Sequence, residues 1–192
     1  TMSQAVGFNG ARLHQKVFEE RFHYWADKLG YITSAEYNSC GADWRMFETK
    51  YNLLNEWRRC VERDFSHPSI VMWTSLNESS GIGEDASDVS SFGWERNPVP
   101  YKDFVNQLGE TIKAVDPTRP WHDASGYIHI DNPEIFSVHY YVPSAEELNA
   151  LIHPNMGEPE KLGAQYSRSC PIEYKGQPYF VDEWGGFGFI PK

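Results

Sequence analysis

No apolar run in these 192 residues approaches the roughly 20 that a membrane-spanning helix needs. Basic charge is equally scarce, with 17 Lys and Arg against 27 Asp and Glu, for a net charge of −10. Nucleic acids and anionic membranes both attract a basic face, so neither is expected as a partner. Cysteine is rare as well. Cys40, Cys60 and Cys170 are odd in number, lie far apart and fit no metal-ligand spacing, so buried free thiols are expected. The opening Thr1-Met2-Ser3-Gln4 carries no basic region followed by an apolar stretch, so no secretory leader is visible. Cytoplasm, periplasm and exterior all stay open as locations. No linker-like stretch divides the sequence, and residues 1–192 are read as one domain with one core.

What the chain has is aromatic side chains and buried-strand patterns. Seven Trp, eleven Tyr and eleven Phe supply many flat apolar faces, most of them expected in the core. Six nearly continuous apolar runs read as strands: Gly7 to Leu13, Tyr31 to Glu36, Ile70 to Leu76, Trp121 to Ala124, Ile135 to Tyr140 and Pro178 to Asp182. Continuous rather than alternating runs mark strands covered on both faces, as in a parallel sheet. Between them lie helical stripes. Phe18, Phe22, Trp25, Ala26 and Leu29 form one, stopped by Gly30; Phe47, Tyr51, Leu54, Trp57 and Val61 form another. Tyr101, Phe104, Val105, Leu108, Ile112 and Val115 form a third, and Ser144-x-x-Glu147 is a capping box opening a fourth helix through Leu151. This order implies an α/β fold with helices outside a parallel sheet. The polar stretch 77–100, directly after a strand, reads as a long functional loop.

Polar and ionisable residues gather where the strands end. The ends read Arg12-Leu13-His14, Glu36-Tyr37-Asn38, Asn77-Glu78, His122-Asp123, His139-Tyr140-Tyr141 and Asp182-Glu183-Trp184. In a barrel of βα units, C-terminal strand ends and the loops after them build the site. Two ends stand out. Trp73-Thr74-Ser75-Leu76-Asn77-Glu78 and Phe180-Val181-Asp182-Glu183-Trp184-Gly185-Gly186 each deliver a carboxylate at the mouth of a buried run. Either alone could be a helix cap or a loop polar group. Together they fit an acid and a nucleophile flanking a glycosidic bond, with carboxyl groups about 5–5.5 Å apart when configuration is retained. The charge of one is expected to raise the pKa of the other.

The chain resembles the catalytic barrel of glycoside hydrolase family 2, the β-galactosidase and β-glucuronidase family. The resemblance is carried by Gly7-Phe8-Asn9-Gly10-Ala11-Arg12-Leu13-His14, Arg63-Asp64-Phe65-Ser66-His67-Pro68-Ser69-Ile70 and Trp73 through Glu78, then by Asp116-Pro117-Thr118-Arg119-Pro120 and Gly176 through Gly186. It implies a (β/α)8 TIM barrel, of which the six strands here correspond to the second through the seventh. It implies further that the two remaining strands and the β-sandwich domains lie elsewhere in a longer polypeptide, or that a second copy closes the gap. Glu78 would then protonate the leaving oxygen and later deprotonate water, and Glu183 would attack the anomeric carbon. Asn77 would bind the sugar 2-hydroxyl, Tyr140 would donate to Glu183, and Arg12 would hold Glu183 ionised. His14, Glu36, His139 and Trp184 would line the sugar pocket.

Each of these has a plainer alternative. Arg12 could be a buried ion-pair partner, His14 and His139 core histidines, Glu36 a cap, and His122-Asp123 a structural pair. The histidines and Glu36 come from different strands without helical ligand spacing, so no metal and no cofactor is expected. The expected activity is a retaining exo-β-glycosidase acting on a β-glycoside or oligosaccharide by double displacement. A β-galactosidase leads on family frequency alone. A β-glucuronidase, a β-mannosidase, a cellulase-like β-glycanase and a carbohydrate-binding fragment without turnover are the alternatives. A glucuronide specialist needs cations for the sugar carboxylate after the nucleophile, where the sequence offers Lys192.

Overall fold

A computed structural model describes residues 1–40, 42, 46–78, 99–126, 129–142, 144–152, 172 and 174–185. Cys170, Gly186, Lys192 and most of the long loop, 79–98, lie outside the described residues. The elements run α1 (Met2–Ala5), β1 (Gly10–Leu13), α2 (Glu20–Leu29), β2 (Ile32–Glu36), α3 (Phe47–Asp64), β3 (Ile70–Asn77), α4 (Val99–Val115), β4 (Trp121–Ser125), β5 (Phe136–Tyr140), α5 (Ala145–Ile152) and β6 (Tyr179–Trp184). All six expected strands form, and every described pairing is parallel. The sheets run β1-β2-β3-β4 and β5-β6, an α/β arrangement that is part of a TIM barrel. The first strand starts three residues later than its apolar run, because Gly7 turns the chain at φ 98°.

The helices start and stop as their sequences dictate. Gly30 ends α2 in the left-handed conformation, φ 62°, which glycine adopts without steric cost. The Glu147 backbone N–H donates to Ser144 Oγ (3.1 Å), the expected cap of α5. Helices α3 and α4 cover the outer face of β2–β4, burying Leu53, Trp57, Val61, Leu108 and Ile112 against Trp73, Leu76 and Trp121. The indoles of Trp57 and Trp121 both donate to Ser75 Oγ, and Trp73 donates to Asp116 Oδ2 (2.8 Å). Not every expected apolar position is covered. Phe47, Tyr51, Trp25 and Leu29 are exposed, and Cys40 is exposed where a buried thiol was expected.

Two of the family-like segments stitch loops to strands and stand away from the carboxylates. Arg119 donates to the carbonyls of Ile70, Phe65 and His67 and pairs with Asp116 (2.6 Å). Arg63 donates to Asp64 and to the Phe18 carbonyl, while His67 and the Ser69 N–H both meet Asp27. These contacts surround Ile70, the first residue of β3, at the end opposite Asn77. In such barrels that end serves stability and the opposite end carries the site.

Side chains join the two sheets. A hydroxyl–imidazole row crosses the inner face from Ser34 on β2 through Thr74 on β3 and His122 on β4 to Ser137 on β5, at 3.1, 3.2 and 2.8 Å. Ser137 Oγ also accepts from the Gly126 N–H and donates to the Ala124 carbonyl. Burial pushes His122 down to about 4, so the row is held by a neutral ring.

Candidate active site

Arg12, near the C-terminal end of β1, is the centre of the site. Its guanidinium makes a two-pronged contact with Glu36 at the end of β2, Nε to Oε2 at 2.6 Å and Nη2 to Oε1 at 3.1 Å. The same group donates to Glu183 Oε1 on β6 and to Asn77 Oδ1 on β3, and meets His14 Nδ1 at 3.0 Å. One planar cation thus ties together four strand ends, which the fixed fork of a guanidinium suits. The Gln15 N–H adds a further bond to Glu36 Oε1 at 2.9 Å. Burial pushes the Glu36 carboxyl up despite the opposing pull of Arg12. For Arg12 itself burial works downward and is outweighed by Glu36, Asp182 and Glu183, so the cation is held above its ordinary value.

Glu78 sits immediately after β3 with φ 45°, a left-handed conformation uncommon for a residue with a side chain. Its N–H donates to the Ser125 carbonyl at the end of β4 (2.9 Å), which fixes the turn. Its Oε1 lies 2.9 Å from His139 Nδ1. Oxygens of Glu78 and Glu183 and a nitrogen of His139 all lie within 4.8 Å of one another. Oxygens this close are compatible with the about 5–5.5 Å carboxyl separation of a retaining pair. The expected raising of one carboxyl by the other meets a counter-effect here. The His139 hydrogen bond holds Glu78 below the usual carboxylate range, against the opposing effect of burial.

The remaining expected residues divide. Asn77 is at the site, its amide oxygen taken by Arg12 and its N–H to Ser39 Oγ. His14 is more than half exposed, 3.6 Å from Glu183 and 3.8 Å from Glu36. Trp184 is exposed at the end of β6, its ring 6.4 Å from Phe8. Tyr140 requires a correction. It is buried on the opposite face of β5 among Phe136 and Val138, its hydroxyl 2.8 Å from that of Tyr179. The alternation of side chains along a strand explains this, since His139 faces the site and its neighbour must face away. The exposed Tyr141 follows, its ring edge-on to His139 at 6.1 Å.

Asp182 was missed. Period-two reasoning puts it opposite Glu183, yet His139 Nε2 lies 3.4 Å from Asp182 Oδ1 and 3.6 Å from Glu183 Oε1. A register shift between β5 and β6 resolves the conflict: Val138 pairs with Val181, and His139 pairs with Glu183, leaving Asp182 extra. Such a bulge re-aims side chains and is common beside active sites. The sequence signal available was the run of two acids at one strand end.

Two groups offer metal-ligating atoms among the described residues. Glu78, His139 and Glu183 form one, at the strand ends. His122, Asp123 and His129 form the other, fully buried. Its atoms are already partnered: Asp123 accepts from Ile130 N–H and pairs with His129 Nδ1 (both 2.7 Å), and His122 sits in the hydroxyl row. The sequence alternative of a structural His122-Asp123 pair fits that packing.

A parallel barrel sheet with two close carboxylates and an Arg at its strand ends matches one class, the barrel glycosidases. The profile of "Glycosyl hydrolases family 2, TIM barrel domain" matches residues 4–170, and the chain belongs to that family. A putative β-glucuronidase of Formosa agariphila is 24% identical over 172 residues, covering 87% of this chain and 20% of the relative. A β-galactosidase of Priestia megaterium is 32% identical over 109 residues, covering 56% and 9%. Among solved structures, a Parabacteroides merdae β-glucuronidase superposes with a TM-score of 0.66 at 15% identity, covering 96% of this chain and 20% of that one. A β-galacturonidase of Eisenbergiella tayi superposes with 0.63 at 21%, covering 95% and 30%. The chain therefore spans about a fifth of the length of the Formosa relative.

Proposed function

We propose that this barrel carries the catalytic centre of a retaining exo-β-glycosidase, with Glu78 as acid/base and Glu183 as nucleophile. The observation that carries the reading is the placement of both carboxylates at strand ends with oxygens within 4.8 Å. Glu183, paired with Arg12, is the partner placed to attack the anomeric carbon. Glu78 protonates the departing oxygen, and after departure the same carboxylate takes the proton of the incoming water. Because His139 favours the ionised form of Glu78 in the open site, entry of the sugar, which displaces water around a half-buried carboxyl, is what readies the acid. Asn77, its oxygen held by Arg12, keeps amide N–H groups for a sugar hydroxyl. Trp184 and Tyr141 offer exposed faces for stacking.

The substrate is a terminal β-glycoside. The β-galactosidase expectation has the Priestia relative behind it, while two other relatives are named β-glucuronidases, so both sugars are to be tested. Arg12 is already engaged by two carboxylates and is a poor receptor for a third. The test uses the complete polypeptide with phenyl and 2,4-dinitrophenyl β-D-galactosides and β-D-glucuronides. Glu183→Gln is expected to abolish turnover of all four. Glu78→Ala is expected to lose about 10²–10⁴-fold on phenyl glycosides and far less on dinitrophenyl ones, whose leaving group needs no proton. Equal losses for Glu78→Ala would contradict the acid assignment.

A further inference from the structure

His139 occupies a position that sugar contact does not account for. Its Nδ1 faces Glu78 at 2.9 Å, and its Nε2 faces Ser125 Oγ at 2.9 Å and Asp182 Oδ1 at 3.4 Å. The Asp182 side chain has no exposed surface, and neither of its carboxylate oxygens has a hydrogen bond among the described residues. A buried carboxylate without hydrogen bonds is costly, and its presence calls for an explanation. It is there because of the bulge that lets both Asp182 and Glu183 face the mouth. The ring is also gripped sterically. A Cβ at Gly126, whose φ is 64°, would stand 2.7 Å from His139 Nε2. Ser125 serves twice, its carbonyl fixing the Glu78 backbone and its hydroxyl fixing the ring.

We propose that His139 and Asp182 are positioning residues for the acid/base step: the Asp182 charge, 3.4 Å from Nε2, and the Ser125 hydroxyl hold the imidazole, and its Nδ1, 2.9 Å from Oε1, holds the Glu78 carboxyl in line with the leaving oxygen. The proposal rests on the reading of Glu78 as the acid/base. The proton given to the leaving oxygen comes from Glu78, and the proton taken from water returns to Glu78. His139 keeps its own hydrogens throughout, so no net proton passes through it. What it supplies is geometry, and a misplacement of about 1 Å in a catalytic group costs about 10²-fold.

The same phenyl and 2,4-dinitrophenyl β-D-galactosides and β-D-glucuronides test it in the complete polypeptide. His139→Phe is expected to lose about 10²-fold in kcat/KM on the phenyl glycoside and less than about fivefold on the dinitrophenyl one. His139→Asn, which keeps an N–H near the Nδ1 position, restores most of that loss. Asp182→Asn, which alters no volume, is expected to lose about tenfold on the phenyl glycoside only, and nothing further when His139 is already Phe. Retained turnover of the dinitrophenyl substrate shows that each variant folds. Equal losses on both substrates, or losses that multiply in the double variant, would overturn the proposal. Glu78→Ala run alongside separates the two readings. If it shows the leaving-group split and the His139 and Asp182 variants do not, only the positioning role falls; if it shows none, the acid assignment itself falls.

Discussion

Arg12 touches Glu36, Asn77, Glu183 and His14, so its replacement undoes more than one contact. Arg12→Met strips the buried Glu36 of its counter-charge, a change expected to cost about 3–5 kcal/mol. Glu36 is already pushed up by burial, and losing Arg12 pushes it further. A carboxyl raised in the folded state destabilises most when the pH lies above that raised value. The stability deficit of Arg12→Met should therefore be largest at neutral pH and shrink as the pH falls and Glu36 takes a proton. Urea midpoints at pH 7 and pH 5 measure this, and a deficit independent of pH would contradict it. Glu78 and Glu183 were legible as strand-end carboxylates because each follows an apolar run, and Arg12 was legible through the family-like segment that contains it. Tyr140 and Asp182 were not. Tyr140 follows strand alternation to the far face, whereas Asp182 escapes alternation through a bulge that depends on pairing between two strands.

At the scale of elements, β4 joins the two sheets through His122. The ring is neutral when folded, its value lowered from 6.5 to about 4 by burial. Unfolded chains bind a proton there first, so this contribution is complete above about 6.5 and is lost as the pH falls towards about 4. Thermal midpoints should fall over that window, and the fall should be shallower in His122→Asn. An unchanged slope would contradict the assignment. A second element-scale test is the seat of α4 on β4. A Cβ at Gly109 would stand 2.5 Å from the Trp121 ring, so Gly109→Ala should cost about 1–3 kcal/mol in a urea titration, despite alanine's higher helix propensity. The six strands and α2, α3 and α4 were legible from periodicity and α5 from its capping box, whereas α1 was not foreseen. The buried face of α2 was not legible: Trp25 and Leu29 of its apolar stripe are exposed, while His23 and Ala26 are buried, because burial depends on what lies across the groove.

For the whole molecule, β1 and β6 each have one neighbouring strand among the described residues, while β3 lies between two and beneath the main core. Unpaired edges exchange amide hydrogens more readily than buried central strands. Amides of β3 should be the slowest in hydrogen exchange, with those of β1 and β6 much faster in this segment alone and protected within the complete polypeptide. Equal protection in both would show that nothing further packs on these edges. The apolar groove of about 520 Å³ beside α2, lined by Leu13, Phe18, Phe22, Trp25 and Leu29, lies next to the β1 edge.

All of these scales converge on two carboxylates and the covalent chemistry assigned to Glu183. A 2-deoxy-2-fluoro glycoside with a good leaving group slows both steps and lets the glycosyl-enzyme accumulate. Peptide mapping of the labelled complete polypeptide should place one sugar on the peptide containing Glu183, with no label in Glu183→Gln. A label on any other residue, or labelling that persists in Glu183→Gln, would contradict the account.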